Sequence, residues 1–316
     1  MRPIGGELEF KKSALQSYFT DSGRSSLRLF LRSHDHKNKT YLLPNFLCEI
    51  IEIVFKQEQV EYSFYSINDD LSINASSVNA QDYDGLYIIN YFGVEADIST
   101  IDLKDKILIE DAVFSFNITN PHNAKKWFGF NSYRKISNLA SGSLAVSNMP
   151  IASSLISAES APFASLKAEA KHIKYQYIHH NQHSEVKYLQ KLEQAEQMLD
   201  EQTQIYRMDA TDTAALLTQD LKQIQTLRKQ RFERLLNLFG PHHLGKIPSE
   251  YSFFVISLNN RDDFQKFMYA QNVFLPVHWP ADDKKAINQH IISIPLFEAY
   301  TDKEFEFLIK KIEVAL

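Results

Sequence analysis

Apolar residues along this chain fall into two rhythms. Short runs read as strands: Tyr41-Leu42-Leu43-Pro44 as a strand end, Val60 to Ile67 as an alternating strand, and Leu86 to Gly93 and Ile107 to Ile109 as nearly continuous apolar runs. A continuous run marks a strand buried on both faces. Helical spacing separates them. Ser22-Gly23-Arg24-Ser25-Ser26 opens a helix with Leu27, Phe30 and Leu31 on its apolar face, and Cys48 to Gln59 carries Ile50, Ile51, Ile53, Val54 and Phe55. Strands joined by connections of this length predict an α/β fold with a mostly parallel, doubly wound sheet, whose ligands collect at the carboxyl ends of the strands. Residues 1–20 read as a short arm.

After residue 160 the pattern changes. Ser184 to Leu238 is rich in Gln, Glu, Leu and Lys at helical spacing and predicts two long helices broken around Met208-Asp209-Ala210-Thr211. His172, His179, His180 and His183 cluster near its start, with no cysteine or carboxylate pattern to make them a metal site. From Tyr251 a smaller α/β unit follows: a strand over Tyr251 to Leu258, a helix over Arg261 to Gln271, and strands at Asn272 to Pro276 and His290 to Pro295. Thr301 with Glu304 spells a capping box, and Phe305, Leu308, Ile309, Ile312 and Leu316 form the stripe of a last helix. The expected division is a large domain over 1–235, with the arm and long helices, and a small C-terminal α/β domain over 236–316.

Composition narrows the function classes. Hydrophobic content of 44% with 23% charged residues in 316 is that of a globular protein with a sizeable core. A formal charge of -5 argues against a nucleic-acid partner. The single cysteine, Cys48, forbids an intrachain disulfide and points to a reducing compartment. No stretch has signal-peptide character or approaches the roughly 18 apolar residues of a membrane helix, so a cytoplasmic location without membrane partners is the expectation.

The candidate chemistry lies between Ile107 and Asn148. The apolar run Ile107-Leu108-Ile109 ends in Glu110-Asp111, and the next, Trp127-Phe128-Gly129-Phe130, leads into Asn131-Ser132-Tyr133-Arg134-Lys135. A buried strand ending in a carboxylate, followed by a lysine after the next apolar run, is the layout a pyridoxal phosphate site requires. The cofactor draws electrons only while its ring nitrogen stays protonated beside a carboxylate, and it is tethered through a lysine imine. Asp111 and Lys135 would be that pair; each has a plainer reading, as a turn or cap residue and as a solvated strand end. The helix start after Ser22 offers an anion the free N–H groups after Gly23 and the hydroxyl of Ser25, though a Ser/Gly-rich start is also an ordinary cap.

With these pieces in order the chain resembles the DegT/DnrJ/StrS family of pyridoxal phosphate-dependent aminotransferases, a branch of the fold-type I enzymes. The resemblance runs through Pro3-Ile4-Gly5-Gly6-Glu7, Ser22 to Leu27, Leu42-Leu43-Pro44, Asn90-Tyr91-Phe92-Gly93, Glu110-Asp111-Ala112 and Ser132-Tyr133-Arg134-Lys135. It continues through Pro276-Val277-His278-Trp279-Pro280, His290 to Leu296 and Tyr300-Thr301-Asp302. It implies that Lys135 forms the imine with the cofactor and shuttles the proton, and that Asp111 pairs with the pyridine nitrogen. Gly23, Arg24 and Ser25 would hold the phosphate, with Ser132 adding a hydroxyl. Phe46 is the candidate to stack on the ring, with Cys48 competing for the aligned position. One departure stands out: where the family has Gln or His near the phenolic oxygen, this chain has Phe114, which cannot donate a hydrogen bond. The chain also looks shorter than typical members.

The resemblance implies an amino transfer from an amino acid, glutamate favoured, to a keto sugar nucleotide in surface polysaccharide or amino-sugar biosynthesis, by a ping-pong route in a homodimer. Lys135 disfavours the family's dehydratase branch, where this lysine is replaced. The alternative from another class is a catalytically degenerate member that serves as a binding or regulatory protein.

Overall fold

The structure is a computed structural model describing residues 15–120, 122–279 and 286–316. The expected Pro3–Glu7 motif and Pro280 lie outside the described residues. The first half alternates strand and helix: β1 (Gln16–Thr20), α1 (Gly23–Ser33), β2 (Thr40–Pro44), α2 (Glu49–Gln57), β3 (Glu61–Tyr65), α3 (Ala75–Asn79), β4 (Gly85–Ile89) and β5 (Ile107–Asp111). Then come β6 (Lys126–Phe130), the single turn α4 (Tyr133–Ile136), β7 (Ser143–Ser147) and β8 (Ser157–Ser160). Four helices and a short strand follow as α5 (Pro162–His180), α6 (Glu185–Glu201), β9 (Tyr206–Arg207), α7 (Ala210–Thr218) and α8 (Leu221–Phe239). The chain closes with β10 (Phe253–Ser257), α9 (Arg261–Ala270), β11 (Ile291–Pro295) and α10 (Asp302–Ala315).

Among the described residues β1 to β9 form one sheet in the order β3-β2-β4-β5-β6-β7-β1-β9-β8. β2 to β6 run parallel; β7 pairs antiparallel with β6 and β1 antiparallel with β7. The continuous apolar runs are explained by burial on both faces. In β5, Ile107 and Ile109 point into one core with Leu27 and Phe55, whereas Leu108 points into a second with Trp127 and Leu86. The same alternation sends Asp111 to the first face and Glu110 to the second.

Three sequence expectations need correction. The end of the expected arm over residues 1–20 is a strand, since β1 lies in the sheet between β7 and β9. The segment from Ser184 to Leu238 holds three helices rather than two, α6, α7 and α8, with breaks around β9 and at Gln219 and Asp220; before it stands α5, which starts at Pro162, where proline costs no helical hydrogen bond. Asn272 to Pro276 is not a strand. It alternates correctly, with Leu275 buried and Phe274 exposed, but it takes part in no ladder beyond the bond from Ser293 N–H to the Pro276 carbonyl (3.0 Å). The capping box forms as expected, Thr301 N–H donating to Glu304 Oε2 at 2.7 Å.

β10 and β11 pair antiparallel, and with α9 and α10 they enclose a separate apolar core that reaches back to Phe232, Leu235 and Phe239 of α8. This unit is clamped to the sheet beside the end of β5. The Glu250 carboxylate accepts from the backbone N–H groups of Phe116 (2.5 Å) and Asn117 (3.0 Å), and Ser249 N–H donates to the Gly93 carbonyl at 3.0 Å. Gly93 has φ +87°, and a Cβ there would run into the backbone oxygen of Glu250, so glycine is required twice over. Gly93→Ala is expected to destabilise the protein by about 2 kcal/mol or more, read from the denaturant midpoint; a change within error would refute this close approach.

Candidate active site

β5 and β6 end side by side, with Asp111 paired in register with Phe130. Asp111 is buried, and its carboxylate accepts from the Tyr87 hydroxyl (2.7 Å) and from the Val113 N–H (3.0 Å). Burial raises its pKa, and the Tyr87 hydrogen bond and the Lys135 charge work against that rise. Its neighbour Glu110 faces away from this site. Trp127 Nε1 (2.8 Å) and Asn90 Nδ2 (2.7 Å) donate to it, and burial lifts its pKa to about 7 despite those donors.

Lys135 stands on α4. That turn is fixed by Tyr133 N–H to the Gly142 carbonyl (3.0 Å) and by Arg228, whose Nη2 donates to the Ile136 carbonyl at 2.7 Å. Gly142, with φ +120°, makes the reversal into β7 possible. The lysine amine lies 5.8 Å from the centroid of the Phe114 ring. Burial lowers its pKa; Cys48 and Asp111 oppose that shift, while Arg134 and Arg24 add to it.

Asp111 and Lys135 line one cleft together with Gly23, Arg24, Cys48, Ser132, Arg134 and Trp279. Five of the seven sequence candidates therefore meet: Asp111, Lys135, Gly23, Arg24 and Ser132. Ser25 and Phe46 do not line it. Ser25 is fully buried behind the N-cap, its N–H bonded to Ser22 Oγ at 3.2 Å. Phe46 is buried against Tyr91 (5.4 Å between ring centroids) and Trp279 (4.9 Å), and Cys48 takes the cleft wall in its place. Sequence reasoning missed Arg134 and Trp279. Both sat inside quoted motifs, but nothing in an isolated motif says which side chain turns inward.

Charge is concentrated at the Arg24 side. Arg24 pairs with Asp200 (2.5 Å), Arg134 with Glu196 (3.2 Å), and Lys167 also contacts Glu196, both carboxylates coming from successive turns of α6. The Arg134 side chain is only 9% exposed and its Nε has no hydrogen-bond partner among the described residues. An orphaned guanidinium donor beside a cleft suits an anionic ligand group. Burial pushes the Lys167 amine down to about 8 and that of Lys171 to about 7, the neighbouring cations assisting.

No protein-family model matches the sequence, and no curated protein matches it in sequence comparison. Solved structures do match in shape. S. venezuelae DesV, in complex with a ketimine intermediate, superposes with TM-score 0.67 at 14% identity, over 95% of this chain and 84% of that one. A DegT DnrJ EryC1 StrS aminotransferase from Brucella abortus gives 0.63 at 14% identity, over 94% and 85%. The PLP-form of the putative sugar aminotransferase Spr1654 from Streptococcus pneumoniae gives 0.66 at 12% identity, over 95% and 86%. The chain has the fold of the DegT/DnrJ/EryC1/StrS aminotransferases. That fold embraces both the large sheet and the C-terminal unit here, since the match spans nearly the whole chain.

The Glu196 cluster yields a pH prediction. Burial alone would raise the Glu196 pKa, but Arg134 and Lys167 outweigh it and hold the carboxyl at about 2. A folded-state pKa below the unfolded value of roughly 4.3 means stability that is present above that value and lost as pH falls towards 2. Glu196→Gln should lower the unfolding midpoint at neutral pH and flatten its fall below about pH 4.5. Parallel acid-unfolding curves for the two proteins would count against this cluster.

Proposed function

We propose that the protein is a pyridoxal phosphate-dependent aminotransferase. The observation that carries this reading is the convergence of Asp111, Lys135, Gly23, Arg24 and Ser132 on one cleft. The residues present suit the cofactor. Asp111, oriented by the Tyr87 hydroxyl and the Val113 N–H, would hold the ring nitrogen's proton. The N–H groups at the start of α1, with Arg24, Ser132 and Arg134, would hold the phosphate. Bound there, pyridoxal phosphate would supply an aldehyde and an electron-withdrawing ring.

The chain's own contribution follows from burial. A lysine whose pKa is lowered has a larger fraction of free amine at neutral pH, which is the form that attacks a carbonyl and accepts a proton from carbon. Trp279, Ile50 and Ile51 close the cleft with apolar surface and keep water from the amine. The donor we infer is an amino acid, glutamate favoured, and the acceptor a keto sugar carried on a nucleotide, for surface polysaccharide or amino-sugar synthesis. The solved relatives named as sugar aminotransferases support this choice. We further infer a cytoplasmic homodimer, the single cysteine and the prevalence of two-fold dimers supporting it.

A non-catalytic binding role is the second reading, favoured by Phe114, which removes a donor beside Lys135. Pyridoxal phosphate added to the purified protein should give a visible absorption band, and borohydride reduction should leave the added mass on the Lys135 peptide. Lys135→Ala should lose both. A wild-type protein without band or label would leave the binding role standing instead. With glutamate and a panel of keto sugar nucleotides, Asp111→Ala should turn over at least about 10²-fold more slowly than wild type.

A further inference from the structure

Phe114 leaves a gap in the chemistry that a second side chain can fill. The Lys135 amine lies over its buried ring, which has no donor or acceptor to offer. His278 stands edge-on to that same ring, with centroids 5.2 Å apart and planes at 86°. Phe92 (5.1 Å) and Phe253 (4.9 Å) flank the imidazole, and the next residue, Trp279, forms part of the cleft wall.

The imidazole is held from behind. His278 Nδ1 is 2.9 Å from Ser293 Oγ, and Ser293 is buried in β11 with its N–H bonded to the Pro276 carbonyl at 3.0 Å. The tautomer in which the serine hydroxyl donates to Nδ1 carries the ring's proton on Nε2. Burial among the aromatics pushes the His278 pKa down to about 3, and the positive charge of Lys135 adds to the shift. The ring is therefore neutral at neutral pH.

We propose that His278 supplies the hydrogen bond that Phe114 cannot, donating from Nε2 to the ring oxygen that neighbours the carbonyl carbon of a ligand joined to Lys135. The proposal rests on the pyridoxal phosphate reading, whose ring carries a hydroxyl next to its aldehyde. A donor to that oxygen stabilises its ionised form and weakens the oxygen's hold on the proton at the lysine-linked nitrogen, so the nitrogen loses its proton at lower pH. His278 is thus a determinant of the protonation state at Lys135, and Ser293 positions it.

The test is the pH midpoint of the visible band in the cofactor-loaded protein, with thermal unfolding measured alongside. His278→Phe should raise the midpoint by about one unit or more, His278→Gln should recover part of the shift because its amide still donates, and Ser293→Ala should raise it by less. If the band forms normally in wild type and the midpoint is the same in all three variants, the proposal is overturned while the aminotransferase reading stands. A wild-type protein with no band overturns both. Should His278→Phe fail to fold, His278→Gln and Ser293→Ala still decide: unmoved midpoints in both refute the role.

Discussion

A buried carboxylate at the end of β5 and an amine on the turn that follows β6 share one cleft, and they are what the rest of this structure has to accommodate. Desolvation pulls Asp111 towards its protonated form and Lys135 towards its free amine, so each charge depends on fixed partners. The sheet supplies them from adjacent positions. Tyr87 on β4 donates to Asp111, whereas α4 hangs Lys135 from backbone bonds to Gly142 and Arg228. Neither group could be placed there by a flexible loop.

The strands were legible because burial on both faces leaves a one-dimensional trace. Ile107 to Ile109 could hardly be anything but an interior strand, and the polar residue that ends such a run falls where ligands bind. Five of the candidate residues line the cleft. What escaped depends on rotation about the chain. Phe46 and Cys48 are two residues apart just before α2, yet Cys48 lies at the cleft wall and the Phe46 ring in the core. Arg134 was hidden for the same reason, one residue away from the lysine it accompanies. The antiparallel placement of β7 and β1 comes from long-range pairing, with Gln16 opposite Ser147, and no local pattern encodes it.

The C-terminal unit is joined to the site by buried polar contacts. Arg228 is fully buried, its guanidinium 5.2 Å from the Phe116 ring and 5.1 Å from that of Phe297, with Nε bonded to Glu298 at 2.9 Å. Ser252 donates to the Phe114 carbonyl at 2.7 Å. The segment after β5 is therefore held beside the start of β10, the turn carrying Lys135 is held through Arg228 to the segment after β11, and a buried guanidinium left without Glu298 would carry a large penalty.

The α5–α6 hairpin gives the cationic side of the cleft another meaning. Arg24 meets Asp200 and Arg134 meets Glu196, each through Nη1, while the Arg134 Nε keeps no partner among the described residues, so Arg134 tethers α6 and still has a donor to spare. The same two arginines join the cleft to the α5–α6 hairpin: its cationic side is built from α1 and α4 but braced from α6.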